Sequence, residues 1–367
     1  MKLIIAVAAL GCLACAHPSA SPSAPAADKS FTVGYVTVTP LGAGVYAATR
    51  NEPLGLAGNS NSLFIVNDDH VVVVDAQFTR AATTENIGAL RRITDKPVRW
   101  VINTHWHDDH VAGNQVYRDS FPAVRFISQT NTRADIIAQG RPNRAGQVQG
   151  APPLIEQFER LLAKGLGPDS TPVTVAERAS LTNAIRIEKQ YLAEHAGFRE
   201  TLPDSVFDRS LTLNQGGRTI ELHWFGRGNT RGDAVTYLPK ERIVSTGDLL
   251  VAPIPFAFGS YPTEWIAVLD SVKALAPKVI VPGHGPVMHD FTYLDTVQRM
   301  LATARDETAR AVASGLTVDS TLAVVRLEAL RDQVAGSEKQ MRVMFASFFR
   351  NPIVRRAFDE AKNGKLQ

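Results

Sequence analysis

Hydrophobic and polar positions alternate with a period of two in the first part of the chain. From Phe31, "FTVGYVTVTPLGAGVYAATR" alternates, and the apolar runs "SLFIV" and "VVVV" are separated by Asn67-Asp68-Asp69. Such runs are typical of β-strands, and a short polar break between two of them predicts a hairpin. The segment "RAATTENIGALRRITD" then has helical spacing, and "PVRWVINTH" is another apolar strand. This succession predicts an α/β fold with its chemistry at the strand ends.

Helical periodicity replaces this pattern in two later parts of the chain. A helical insertion is predicted at about residues 131–201, after which short apolar runs such as "AVTYLP" and "KVIVPGHGP" return, each ended by a turn. Residues 291–367 predict three amphipathic helices broken near Gly315 and Gly336. We therefore expect one α/β domain over residues 28–290, including the insertion, and a C-terminal helical extension.

The first residues of the chain have a different character. Residues 1–27 combine one lysine, a short apolar run with Cys12 and Cys15, and a Ser/Pro/Ala tract, which is typical of an export signal and a linker. The small residues around Cys15 favour a cleaved, periplasmic or secreted form. A cysteine ahead of such a tract instead resembles a membrane-anchored lipoprotein, and both routes stay open. In either case the folded body has no cysteine, so its metal ligands must be nitrogen and oxygen.

Composition narrows the class of partner. Apolar residues make up 44% of the chain and charged residues 20%, as in an ordinary folded domain. The formal charge is +3 over 367 residues, and the basic residues are scattered, which argues against a nucleic-acid partner. We expect a small-molecule substrate, and a membrane contact only through an N-terminal lipid. The sequence leaves the oligomeric state open.

The densest chemistry of the chain lies in "NTHWHDDH", residues 103–110. Imidazoles and carboxylates are ligands that suit zinc, manganese or iron, and the H-x-H-x-D-H spacing lets a tight loop aim donors at two adjacent points. His105 and His107 would face one point, and Asp109 and His110 the other. Four donors at a strand end are hard to explain as packing, so the pattern predicts a metal site.

The run "THWHDDHVAGN" resembles the signature of the metallo-β-lactamase fold superfamily. The resemblance continues in order through "GNSNSLFIV", "VVVVDA", "GRGNTRGDAVTYLP", "STGDLL" and "VPGHGP". It implies an αββα sandwich with the metal site at the edge where the two sheets meet. The insertion and the C-terminal helices lie outside the resemblance.

The resemblance also implies the metal ligands. They are His105, His107, Asp109, His110, Asn229, Asp248 and His284. One site would take Asp109, His110 and His284, and Asp248 would bridge, as in the lactonase and glyoxalase II branches. The other site would take His105, His107 and a third residue that is histidine in the family's "G-x-x-H-T-x-G-D". This chain has "GRGNTRGD", so Asn229 occupies that position.

The asparagine changes the expected metal content. An amide oxygen is a weaker zinc donor than imidazole, so we expect one tight zinc ion and a second that is weak or absent, with manganese or iron less favoured. His223 is an alternative third ligand, or else an ordinary half-buried histidine. Asp75 ends a strand beside the cluster. The resemblance implies that it accepts a ring N–H from a metal-facing histidine, and the alternative is an aspartate that only ends the strand.

The expected activity is hydrolysis. A metal-bound hydroxide would attack an ester, lactone, thioester or amide bond, a β-lactam being one option, and Asp109 or Asp248 would shuttle the proton. If the first ion is absent, His105 or His107 would act as general base or orient the water. An alternative from a different class is a metal-containing ligand-binding protein on the same fold, without turnover.

Overall fold

The computed structural model describes residues 29–53, 58–167, 171–364 and 366. The predicted export segment, residues 1–27, lies outside the described residues. Among those that are described, no helix combines the length and the apolar character needed to cross a membrane.

The first sheet has eight strands in chain order. They are β1 (Phe31–Val33), β2 (Val36–Gly42), β3 (Val45–Arg50), β4 (Ser62–Val66), β5 (Val71–Val74), β6 (Val98–Asn103), β7 (Arg125–Gln129) and β8 (Ser205–Phe207). Neighbours up to β5 pair antiparallel, and β5 to β8 pair parallel. The predicted hairpin is confirmed, because β4 and β5 pair with Val66 opposite Val71.

The second sheet has five strands. They are β9 (Ser210–Gln215), β10 (Arg218–His223), β11 (Val235–Leu238), β12 (Ile243–Val251) and β13 (Val279–His284). The spatial order is β13-β12-β11-β10-β9, and only the β12–β13 pair is parallel. Gly216 and Gly217 have positive φ angles in the turn between β9 and β10, a conformation that glycine adopts without a steric penalty.

Helices cover the outer faces of both sheets and form the insertion. They are α1 (Arg80–Arg91), α2 (Asp108–Val111), α3 (Asn114–Ser120), α4 (Thr130–Asp135), α5 (Arg141–Lys164), α6 (Val175–His195), α7 (Pro262–Ala274), α8 (Thr292–Ala313), α9 (Val318–Val324), α10 (Glu328–Ala335), α11 (Lys339–Met344) and α12 (Asn351–Asn363). Wide π-helical turns join α4 to α5 and α11 to α12. The C-terminal breaks fall at Gly315 and Gly336, as expected. An additional break at Val325 divides the middle helix in two.

Alternate side chains of the strands divide between separate layers, as a period of two requires. In β4, Leu63 and Ile65 pack between the sheets against residues of the second sheet such as Leu222. Their neighbour Phe64 packs on the opposite face with Leu90 of α1. A third cluster lies between the outer face of the second sheet and the helices α7, α8 and α12. The predicted αββα sandwich is confirmed.

The ends of several strands meet at one edge of this sandwich. β5 leads into Asp75, β6 leads into residues 104–110, β12 carries Asp248, and β13 ends at His284. Donors that lie far apart in the sequence therefore reach one place.

Candidate metal centre

The loop after β6 is held in shape by amide side chains. The Asn103 side chain donates a hydrogen bond to the His110 carbonyl at 3.0 Å, and Asn103 and Asn114 exchange two bonds at 3.0 and 2.8 Å. The short helix α2 begins directly after His107, so His110 lies in its first turn, and the side chain is fully buried. These hydrogen bonds hold the loop in one conformation, in which the histidine ring nitrogens point to the sheet edge.

One group of donors comprises Asp109, His110 and His284. The Asp109 Oδ2 atom lies 2.9 Å from His284 Nε2 and 3.3 Å from His110 Nε2. All three candidate ligand atoms lie within 4.8 Å of one another, a spacing that a single ion could span. The structure thus brings together the three residues that the resemblance assigns to one site, and metal binding by them stays a prediction.

Asp248 lies between this group and the two remaining histidines. Its Oδ1 atom is 3.2 Å from His110 Nε2 and 3.6 Å from His284 Nε2. Its Oδ2 atom is 3.6 Å from His105 Nε2 and 3.9 Å from His107 Nδ1. One carboxylate therefore turns one oxygen to each half of the cluster, which is the arrangement of a bridging ligand.

Asp75 orients two of these histidines from behind. Its Oδ2 atom accepts hydrogen bonds from His110 Nδ1 at 2.7 Å and from the Thr104 hydroxyl at 2.8 Å. The same hydroxyl lies 3.0 Å from His105 Nδ1. With both Nδ1 atoms so engaged, the Nε2 lone pairs of His105 and His110 are left to face the cluster. The sequence motif did not indicate this role of Thr104, although the residue adjoins His105.

The other half of the cluster contains His105 and His107, whose Nε2 and Nδ1 atoms lie 2.8 Å apart. Asn229 is buried, and its side-chain NH₂ donates to the Phe256 carbonyl, which leaves Oδ1 as the free end of the amide. Asp233 accepts hydrogen bonds from the backbone N–H and the hydroxyl of Thr230 and so fixes the turn after Asn229. Metal binding by Asn229 stays a prediction.

Orphaned polar atoms test whether a cation fits. His110 Nε2, Asp248 Oδ1 and Asn229 Oδ1 are buried and have no hydrogen-bond partner among the described residues. Buried polar atoms are almost always paired, and an unpaired lone pair costs free energy. A metal ion would supply the partner that His110 Nε2 and Asp248 Oδ1 lack, and the nitrogen and oxygen donor set suits zinc. The residues present therefore fit the expected metal.

Charge in the cluster also favours a cation. Burial lowers the pKa of His105 well below its ordinary value, with neighbouring imidazoles adding to the effect. Burial raises the pKa of Asp248, but the surrounding imidazoles, His110 first, lower it more, so that it lies well below the usual range. Burial lowers the pKa of His110, yet the carboxylates around it, Asp109 first, raise it well above normal. The Asp248 carboxylate thus stays ionised and His105 stays neutral, which are the states that bind metal, whereas an ion would take the place of the proton on His110.

Gly283, which precedes His284 in "PGHG", is needed for a steric reason. A Cβ atom on Gly283 would lie 2.0 Å from Asp248 Oδ1 and 2.8 Å from the backbone of Gly247. A side chain there would displace the carboxylate. The close approach of β13 to β12 therefore allows His284 and Asp248 to share the site.

A cleft of about 700 Å³ opens over the cluster. His107, Asp109, Asp248 and His284 line its floor. Its apolar wall is formed by Ile254, Phe256, Phe258, Met344 and Phe348. The insertion contributes a polar wall of Asn143, Gln147, Asn183 and Glu188. The insertion and the C-terminal helices thus complete a pocket whose floor belongs to the sandwich.

Two features of the insertion were not foreseen, namely its pairing with Asp108 and the place of Glu188. Asp108, inside the metal-binding motif, points away from the cluster and forms two hydrogen bonds with Arg144 of α5, at 3.0 and 2.6 Å. Glu188 of α6 is buried against the cleft. Helical spacing marks which residues share a face of a helix but not what that face meets. His223, the alternative ligand, instead lies 3.0 Å from Glu221 on its own strand.

The chain belongs to the metallo-β-lactamase superfamily. Residues 55–284, more than half of the chain, match the family described as "Metallo-beta-lactamase superfamily". The histidine and aspartate cluster lies within the matched residues.

Relatives within the superfamily are distant. The chain is 24% identical over 279 residues to the linear primary-alkylsulfatase of Pseudomonas sp. (strain ATCC 19151), covering 70% of this chain and 48% of that protein. It is 22% identical over 262 residues to the metallo-β-lactamase type 2 of Bacillus cereus, covering 69% and 78%. The chain thus spans about half the length of the alkylsulfatase.

A solved structure shows the same fold. The stereoselective inverting sec-alkylsulfatase Pisa1 from Pseudomonas sp. aligns with a TM-score of 0.59 at 14% identity, covering 88% of this chain and 50% of that one. At this identity the likeness concerns the fold alone.

Proposed function

We propose that the chain is a zinc-dependent hydrolase that cleaves an ester, lactone, thioester or amide bond in a neutral or cationic small molecule. The observation that carries the proposal is the buried Asp248 carboxylate, whose two oxygens face two sets of imidazole nitrogens beneath a cleft with an apolar wall. A zinc ion bound there would lower the pKa of water and polarise a carbonyl oxygen.

The chain's own residues would move the proton. Asp109 has a side chain 23% exposed and lines the cleft, so the carboxylate oxygen that does not face His284 could accept a proton and return it to the leaving group. Asp248, at 4% exposure, is better placed to hold the cluster together. His107 lines the cleft whereas His105 is fully buried, so His107 is the histidine that could orient water or act as a base.

The charge of the cleft limits the substrate. Arg50 is the one arginine or lysine among its described lining residues, and it is paired with Glu52 and Glu85, each at 2.8 Å. Apart from an ion at the floor, a sulfate or carboxylate group would therefore meet no free cationic side chain. This supports a neutral or cationic ester over an alkyl sulfate or a β-lactam.

Metal content and turnover test the proposal. Protein purified without chelator is analysed by mass spectrometry for metals, then assayed with an aryl ester, a lactone, nitrocefin and dodecyl sulfate, with and without added zinc. We expect zinc-dependent rates that are highest for the ester or the lactone. The variants Asp109→Asn and His284→Ala should lose zinc and rate together. A higher rate on dodecyl sulfate would contradict the substrate class.

Asn229 sets the expected number of ions. In Asn229→His, a ring N–H could keep the bond to the Phe256 carbonyl while the other nitrogen replaces the amide oxygen as ligand. We expect the zinc content to rise toward two ions per chain, measured after dialysis against limiting zinc. His223→Asn serves as the control, because that histidine lies on β10 beside Glu221. Equal zinc content in both variants would exclude Asn229 from the ligand set.

The alternative is a metal-containing binding protein without turnover. It is favoured by the loss of a histidine at Asn229 and by the insertion, which forms one wall of the cleft. Zinc bound at one ion per chain, with no rate on any of the four substrates, would support it over the hydrolase.

A further inference from the structure

Glu188 has no role in the metal cluster and yet faces the cleft. It lies on α6 of the insertion, is 5% exposed, and lines the pocket. Its Oε2 atom is buried without a hydrogen-bond partner among the described residues, although Gln147 lies near the carboxyl group. A carboxyl oxygen left unpaired in this way is costly, so a partner from outside the chain would relieve it.

The other buried polar side chain on this wall, that of Asn183, is already engaged. The Asn183 side chain donates to the Pro53 carbonyl at 3.1 Å and accepts from Arg186 at 2.8 Å. Arg186 is in turn 2.8 Å from Glu52. These bonds connect α6 to the segment after β3, and they occupy both the nitrogen and the oxygen of the Asn183 amide. Glu188 is therefore the buried group on the polar wall that is left to meet a ligand.

We propose that Glu188 determines substrate specificity by accepting a hydrogen bond from an N–H donor of the substrate, either a protonated amine or an amide. The inference rests on the proposed hydrolase function and deepens it. The substrate would place an apolar group against Phe256 and Phe348, its scissile bond over the metal cluster, and its donor at Glu188. Among the described acidic side chains of the lining, Glu188 is the one that pairs with neither an arginine nor the metal cluster, so its carboxyl group is left to attract a donor.

A matched substrate series tests the inference. The esters are para-nitrophenyl hexanoate and its ω-acetamido and ω-amino derivatives, assayed with the zinc-loaded enzyme. We expect wild-type kcat/KM for both derivatives to exceed that of the plain ester by about tenfold or more. Glu188→Met should abolish both preferences. Glu188→Gln keeps an acceptor but not the charge, so it should abolish only the preference for the amine.

The control variant is Glu156→Gln, an exposed glutamate of α5 that pairs only with Arg160 at the surface. It should keep the wild-type preferences. Retention of either preference in Glu188→Met, or its absence in the wild type, would overturn the inference while leaving the hydrolase proposal intact.

A second measurement separates the two proposals. Calorimetry with hexylamine, N-hexylacetamide and hexyl methyl ether reports binding without turnover. Preference for the two N–H donors, lost in Glu188→Met, supports the site even if no ester is hydrolysed, in which case the hydrolase proposal alone fails. Equal binding of all three compounds contradicts the site.

Discussion

Asp75 shows at the scale of one residue how a side chain can tune metal binding from behind the ligands. It contacts His110 directly and His105 through the Thr104 hydroxyl. Its backbone is in the left-handed region, with φ at 62°, which aspartate and asparagine tolerate better than most residues. Asparagine can therefore replace it without added backbone strain.

We predict that Asp75→Asn lowers zinc affinity by about 10–100-fold, because an amide replaces one of the two accepting oxygens with an NH₂ donor. That NH₂ group would face either the Thr104 backbone N–H now bound by Oδ1 or the two donors now bound by Oδ2. Competition with a chromogenic chelator measures the change. Asp69→Asn is the matched control, since Asp69 is exposed and its ion pairs among the described residues are with His70 and Arg99. Equal affinity in the two variants would mean that Asp75 merely ends its strand.

Glu188 should impose a pH-dependent cost on stability. Burial raises its pKa above the ordinary value, so the folded state holds the proton more strongly than the unfolded state. Folded protein then loses stability as pH rises from the unfolded pKa through the folded one. We predict that Glu188→Gln is more stable than wild type by about 1–3 kcal/mol at pH 7.5, with a smaller difference at pH 4.

Urea unfolding of metal-free protein at both pH values measures this difference. Glu156→Gln should show no such pH dependence, because its carboxylate is exposed. A larger stabilisation at pH 4 than at pH 7.5 would show that the sign of the pKa shift is wrong.

At the scale of elements, one buried ion pair joins the insertion to the metal-binding loop. Arg144 is buried, bonds Asp108 through two nitrogens, and stacks 4.1 Å from the centre of the Phe198 ring. Burial raises the pKa of Asp108 despite this pairing. The attraction to Arg144 therefore offsets only part of the cost of removing the carboxylate from water. The contact between the insertion and the loop therefore depends on both Arg144 and Asp108 being present.

We predict that Arg144→Met alone lowers the free energy of unfolding by about 3–5 kcal/mol, because it leaves a buried carboxylate unpaired. The double variant with Asp108→Leu should recover much of this loss. The free energy of urea unfolding is compared with that of Arg160→Met, an exposed pair on the same helix, which should change by about 0.5 kcal/mol or less. Equal losses of unfolding free energy for Arg144→Met and Arg160→Met would contradict this role of the Arg144–Asp108 pair.

At the scale of the whole molecule, the C-terminal helices share a core with the second sheet. Phe349 and Ile353 are fully buried in the same cluster as Val244 of β12 and Ile280 of β13. The segment also supplies Met344 and Phe348 to the cleft. Folding of these helices is thus coupled to the sandwich and to the site.

We predict that Phe349→Ala lowers the free energy of unfolding by about 3–5 kcal/mol and that the protein still unfolds in a single thermal transition. Val343→Ala, an exposed position on α11 with 57% of the residue accessible, should have little effect. Calorimetry distinguishes the cases. Two separate transitions in wild type or variant would mean that the C-terminal helices fold independently.

Much of the sandwich and of the metal cluster was predictable from the sequence. Alternation in β4 and β5 determines which side chains face the neighbouring sheet, and the spacing from His105 to His110 places several candidate donors in one short loop. The insertion was predictable as helices but not as a wall of the cleft. A helix can pack with any rotation about its axis, and the contacts that select one, such as the stack of Phe78 on Tyr191 at 4.6 Å, join distant parts of the chain.

The sequence by itself determined the ligand types, the absence of thiolate donors in the folded body and the layered α/β architecture, because these follow from local spacing and composition. Only the tertiary structure decided that Asp248 divides its oxygens between two groups of histidines and that Glu188 faces the cleft. Both outcomes depend on how strands and helices far apart in the chain pack against one another, and no local pattern encodes that packing.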